Sequence, residues 1–130
     1  MNDRNHWQRI GLLVFLAALV QGWMLARNIV PAQDAVLFIQ YARQLAQHSI
    51  IDTLRLNIQH PLYPMLIWGQ HQALGGLIGH DGIGWVRCAQ FVAAFAAVLL
   101  VIPMYLAGNR LANSDLATGA AALFSFLPFA

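Results

Sequence analysis

From Ile10 to Ala26 the chain reads IGLLVFLAALVQGWMLA, seventeen residues with no charge and a single glutamine. Wound as a helix at 1.5 Å per residue it covers about 25 Å, enough to cross a bilayer core of about 30 Å when the flanking residues snorkel. Trp7 and Trp23 stand near its ends, where amphipathic rings settle at headgroup level. A basic start before an apolar run also describes a secretory signal. The lack of a clear A-x-A site and the apolar sequence downstream argue against that reading. A second run extends from Trp85 to Ala107, with Arg87 close enough to the interface to snorkel and Pro103 expected to kink its last turn. Within it Ala89, Ala93 and Ala97 recur every four residues, a stripe that suits close helix approach. A third run begins at Leu116 and reaches Ala130. Its fifteen residues, about 22 Å of helix, stop without a polar cap, so the expectation is the N-terminal part of a longer membrane protein whose remaining helices complete it.

Composition agrees. Hydrophobic residues make up 59% and charged residues 9%, against about 25% charged in an ordinary soluble domain. So little charge leaves a soluble enzyme or a disordered segment badly covered. The net charge is +2, and the seven basic residues are arginines scattered singly, which argues against a nucleic-acid partner. A lone cysteine, Cys88, excludes an internal disulfide and a cysteine-rich metal site, and it reads as a small packing residue. His48, His71 and His80 are too scattered to suggest a metal site. The expected class is all-α and integral to the membrane. It has a helix over 10–27, an outer loop over 28–84 carrying amphipathic interfacial helices, a helix over 85–107 and a partial helix over 116–130.

The loop holds most of the polar chemistry. Pro31 ends the first helix region, and Asp34 to His48 is patterned as a helix. Phe38, Tyr41 and Leu45 share one face with Asp34 and His48, while Gln40, Arg43, Gln44 and Gln47 gather opposite. Such a helix lies along a membrane surface or packs on other helices. Residues 52–60, DTLRLNIQH, read as extended chain or loop. His60-Pro61-Leu62-Tyr63-Pro64 keeps His60 out of the α region and puts Pro64 in a first helical turn. The stretch from Pro64 to Leu77 reads as an interfacial or re-entrant helix, interrupted at Gln70-His71-Gln72 and Gly75-Gly76. Tyr63 and Trp68 read as interface anchors. Arg4 and Arg9 before the first run, with Arg110 between the second and third, predict a cytoplasmic N-terminus and an outward loop.

The order of these pieces resembles the start of the membrane-embedded C-type glycosyltransferases. The nearest branch is the bacterial family 39-like enzymes related to protein O-mannosyltransferases and aminoarabinose transferases. The segments that carry the likeness are Asp34-Ala35-Val36-Leu37-Phe38-Ile39-Gln40-Tyr41-Ala42-Arg43, His60-Pro61-Leu62-Tyr63-Pro64, Trp85-Val86-Arg87-Cys88-Ala89-Gln90, and Leu127-Pro128 in the third run. The resemblance implies a bacterial inner-membrane protein that moves a sugar from a polyprenyl-phosphate donor to an acceptor at the extracytoplasmic face. It makes Asp34 the general base, and since the leaving phosphate needs positive or hydrogen-bonding groups, His60, Arg43 and Arg55 are the loop candidates for contacting it. It implies no cofactor, with a divalent metal left open. Relatives often carry a second acid after the aspartate, where this chain has Ala35, and later helices build much of the carrier pocket, so the 130 residues alone are expected to be inactive.

Each residue also has a plainer reading. Asp34 suits a helix N-cap, a role compatible with catalysis. His60 before proline suits a turn, and Arg87 a snorkelling flank. A non-enzymatic small membrane protein or a transporter fragment is the alternative to an enzyme. A transporter places its ionisable groups at mid-membrane depth, whereas here they collect in one long loop.

Overall fold

A computed structural model of the chain describes residues 3–27 and 33–126, with the side chains of residues 3, 4, 33 and 34 excepted. Its elements are six helices: α1 (Asp3–Arg27), α2 (Gln33–Gln47), α3 (Ile50–Leu56), α4 (Leu62–Ile78), α5 (Gly82–Leu111) and α6 (Ser114–Phe126). Pro31 and the Leu127-Pro128 end of the third run lie outside the described residues. Among the described residues two helical stretches are long and apolar enough to cross a membrane, Asn5–Arg27 and Gly82–Leu111, with mean hydropathies of 1.8 and 2.3. The second has 30 residues, about 45 Å at helical rise, and runs past both predicted ends. It continues through Pro103, although proline gives no N–H to the ladder.

The chain forms two compact units. One consists of residues 1–27 and 93–130. Ile10, Leu13 and Ala17 of α1 bury against Val101 and Tyr105 of α5 and Ala117 and Ala121 of α6. The spacings of three and four put each set on one helical face. Gly108 lets α5 approach α6 closely, since a Cβ there would stand 3.1 Å from the Cα and Cβ of Ala117. Asn113 caps α6, its Oδ1 accepting from the N–H groups of Asp115 (3.1 Å) and Leu116 (2.9 Å). Arg9 donates to Asp115 at 2.7 Å, and Tyr105 Oη lies 3.3 Å from His6 Nδ1. These contacts bring the start of α1 and the α5–α6 link to the same end of this unit. The arginine distribution predicts the same pairing of ends. The outward faces are apolar: Leu12, Phe15, Leu19 and Trp23 on α1, and Phe95 and Leu99 on α5, are all exposed.

The other unit consists of residues 28–92. Ile39 and Ala42 of α2, Ile67 of α4, and Trp85, Cys88 and Ala89 of α5 form its core, with Phe38, Tyr63 and Trp68 packed on it. Tyr41 and Leu45 are buried and Gln40, Arg43, Gln44 and Gln47 are exposed, as the predicted division of α2 requires. His48 departs from its predicted face and is exposed. The stretch 50–56, part of which reads as loop in sequence, is helical. Thr53 is buried and its Oγ1 donates to the Ser49 carbonyl at 2.9 Å, while Asn57 at the helix end donates to the Thr53 carbonyl (2.9 Å) and to Gln44 Oε1 of α2 (3.2 Å). The α4 helix runs unbroken through both predicted interruptions. The alanine stripe is not the packing face of α5. Ala89 is buried, but Ala93 is exposed.

A tight glycine turn joins α4 to α5. Gly79 ends α4 with φ +98°, a backbone state that side chains with a Cβ rarely adopt. A Cβ on Gly84 would overlap the Gly79 carbonyl oxygen. Gly84→Ala is therefore expected to destabilise this unit by about 2 kcal/mol or more, read as a lowered thermal unfolding midpoint in detergent. An unchanged midpoint would mean that the turn is open.

Candidate functional site

Two places in the 28–92 unit bring polar side chains together. The first is a cleft of about 420 Å³ on α2 and α3, lined by Gln44, His48, Ser49, Asp52, Thr53, Leu56 and Asn57. Its lining offers amide, hydroxyl, imidazole and carboxylate groups, a set that can bind a hydroxyl-rich molecule. The Asn57–Gln44 bond fixes one wall, because it ties the end of α3 to the side of α2.

The predicted site residues stand around this frame as follows. Asp34 falls in the first turn of α2, inside the helix rather than before it as the N-cap reading expected. Its side chain lies outside the described residues. Arg43 on α2, Arg55 in the last turn of α3, and His60 between α3 and α4 are all exposed. None of these three lines the cleft. His60 is outside any helix and Pro64 is in the first turn of α4, as the two prolines dictate.

The second place is the α4–α5 turn. His71, buried on α4, stacks on Trp85 of α5 with ring centroids 3.8 Å apart and planes 9° from parallel. His80, exposed in the turn, meets His71 edge to face at 5.4 Å. Sequence reading kept these histidines apart because the end of α4 lies between them. The Gly79 reversal brings them together, and Gly75 makes the room: a Cβ there would stand 2.8 Å from His80 Cε1. Burial, and secondarily the His80 charge, lower the His71 pKa below the ordinary imidazole value, while a hydrogen bond to the Gly79 carbonyl works the other way. His71 Nε2 is buried without a hydrogen-bond partner. Asp81 holds the turn from the other side, its Oδ1 accepting from the Gly84 N–H at 2.9 Å. Among the described residues no group of three or more His, Cys, Asp or Glu side chains is placed to hold a metal ion.

Tyr63 and Trp68, expected as interface anchors, are partly buried and packed on the core of this unit. Tyr63 Oη donates to the Ala89 carbonyl at 3.0 Å, its ring meets Phe38 edge to face, and burial raises the phenol pKa. Trp68 Nε1 is buried without a partner. The signal for both was the spacing from Pro64 through Ile67 and Trp68 to His71, which lies along one helical face. No protein family, curated protein or solved structure matches the chain.

Tyr63→Phe is expected to cost about 1 kcal/mol, the net worth of one hydrogen bond. Faster amide exchange in α4, measured by mass spectrometry, is the accompanying sign.

Proposed function

We propose that the chain is the N-terminal part of an inverting membrane glycosyltransferase. It moves a sugar from a polyprenyl-phosphate carrier to an acceptor at the extracytoplasmic face. The observation that carries this reading is the order of parts: one span-grade helix, then a helix with Asp34 in its first turn, then two more helices and a second span-grade helix. In this reading both long apolar helices cross the bilayer, so Asp34 follows the first crossing and the polar groups between the two lie on one side. The largely outward-facing apolar side chains of α1 and α5 favour lipid over water as their surroundings.

In this reading Asp34 takes the proton from the acceptor hydroxyl as that oxygen attacks the anomeric carbon. The polyprenyl phosphate leaves with the electron pair of the broken glycosidic bond, and inversion follows from the single displacement. A carboxylate at the membrane surface is partly desolvated, which makes it a stronger base than one in water. His60, Arg43 and Arg55 are the candidates for meeting the leaving phosphate. The polar cleft on α2 and α3 is a place for acceptor hydroxyls. The N-terminus faces the cytoplasm of a bacterial inner membrane and residues 28–84 face outward.

Asp34→Asn, in membranes making the whole protein, is expected to lower sugar transfer by roughly 10²–10⁴-fold, the usual worth of a general base, with unchanged insertion. Transfer at the parent rate would remove Asp34 from this role and favour a non-enzymatic membrane protein or a transporter piece. Topology gives a separate check. A cysteine placed at Ser49 is expected to react with an impermeant thiol reagent added to intact cells. Protection there, with labelling only after lysis, would turn the loop inward and exclude chemistry at the outer face.

A further inference from the structure

We propose that the His71–His80–Trp85 cluster is a proton-responsive latch that clamps α4 to α5 when the imidazoles are neutral and releases them when both are protonated. The inference stands apart from the glycosyltransferase reading, because it uses only the geometry of the turn. His71 is 5% exposed and lies flat on Trp85, so the stack is a contact surface between the two helices. Its other neighbour is a second imidazole, and Gly75 offers no side chain to separate the two rings. One proton on His71 gains a cation–π contact with Trp85 but gives up hydration. A second on His80 adds like-charge repulsion across 5.4 Å in a partly dry site. The buried His71 ring, whose charged form is penalised by desolvation, takes a proton by leaving the stack.

The charges on the packed elements do not cancel this repulsion. Asp81, the acid of the turn, accepts from the Gly84 N–H, and its charge is not among the influences on the His71 pKa. Arg87 of α5 and Arg43 of α2 are exposed and add positive charge to the unit. The remaining titratable groups on these helices are Asp34 and Tyr41 of α2, Tyr63 of α4, and Cys88, Tyr105 and Arg110 of α5. The sign is fixed by linkage. With its folded pKa depressed, His71 binds protons more readily when released than when stacked. The latch is fully closed above the ordinary imidazole range and weakens as the pH falls through that range toward the lowered value.

Amide exchange of residues 68–92, followed by mass spectrometry on the detergent-solubilised protein and corrected for intrinsic rates, tests the latch. The expected result is a several-fold rise in exchange between pH 8 and pH 5, confined to this segment. His71→Phe keeps a ring on Trp85 but takes no proton, and it should abolish the rise while keeping protection at pH 8. If His71→Phe loses protection at pH 8, His80→Gln decides the question, since removing the repelling charge should shrink the rise. A segment with no pH step, or a step that survives the deciding variant unchanged, overturns the proposal.

Discussion

The packing of α2 and α4 on the first turns of α5 depends on one reversal of the chain. Gly79 takes a backbone state that a Cβ disfavours, and Gly84 sits where a Cβ would overlap a carbonyl oxygen. With that turn in place, Trp85, Cys88 and Ala89 face Ile67 and His71, and Tyr63 reaches the Ala89 carbonyl. The helices that carry most of the polar residues are thereby fixed to a helix made almost wholly of apolar ones. A surface helix such as α2 has too little apolar area to fold by itself in water, so this anchorage decides whether the polar cleft exists.

What the sequence revealed and what it hid follow from range. The two long apolar helices are legible because each is a run whose length alone decides its state. The buried face of α2 is legible because Tyr41, Ala42 and Leu45 sit at helical spacing against exposed glutamines. The short α3 helix is not, since Ile50, Ile51 and Thr53 are β-branched and poor helix formers. Thr53 burial and the Asn57–Gln44 bond hold it, and both are tertiary. The continuity of α4 was hidden for a related reason. Glutamines around His71 and paired glycines after it look like a break, yet His71 finds its place on Trp85 and Gly75 makes room for His80. A local pattern carries no word of a partner that arrives after a chain reversal.

The same limit of range applies to the candidate site. Proline chemistry placed His60 outside a helix and Pro64 at a helix start without any tertiary knowledge. The arginines were legible as exposed charges. The cleft on α2 and α3 was not legible, because it requires α3 to be helical and to bring Asp52, Thr53 and Asn57 alongside Gln44 and His48. The pairing of His71 with His80 needed the Gly79 turn as well.

Asp34 joins the fold to the proposed chemistry. Asp34 falls in the first turn of α2, where the helix dipole in general favours acids. A general base must be ionised when the acceptor arrives, so the dipole serves catalysis as well as folding. Desolvation at a membrane surface pulls the other way and strengthens the base. A carboxylate between these two influences stays charged and still accepts a proton in the transition state. A helix start and the catalytic role proposed for Asp34 therefore ask for the same place in the chain, early in the helix that follows the first apolar one.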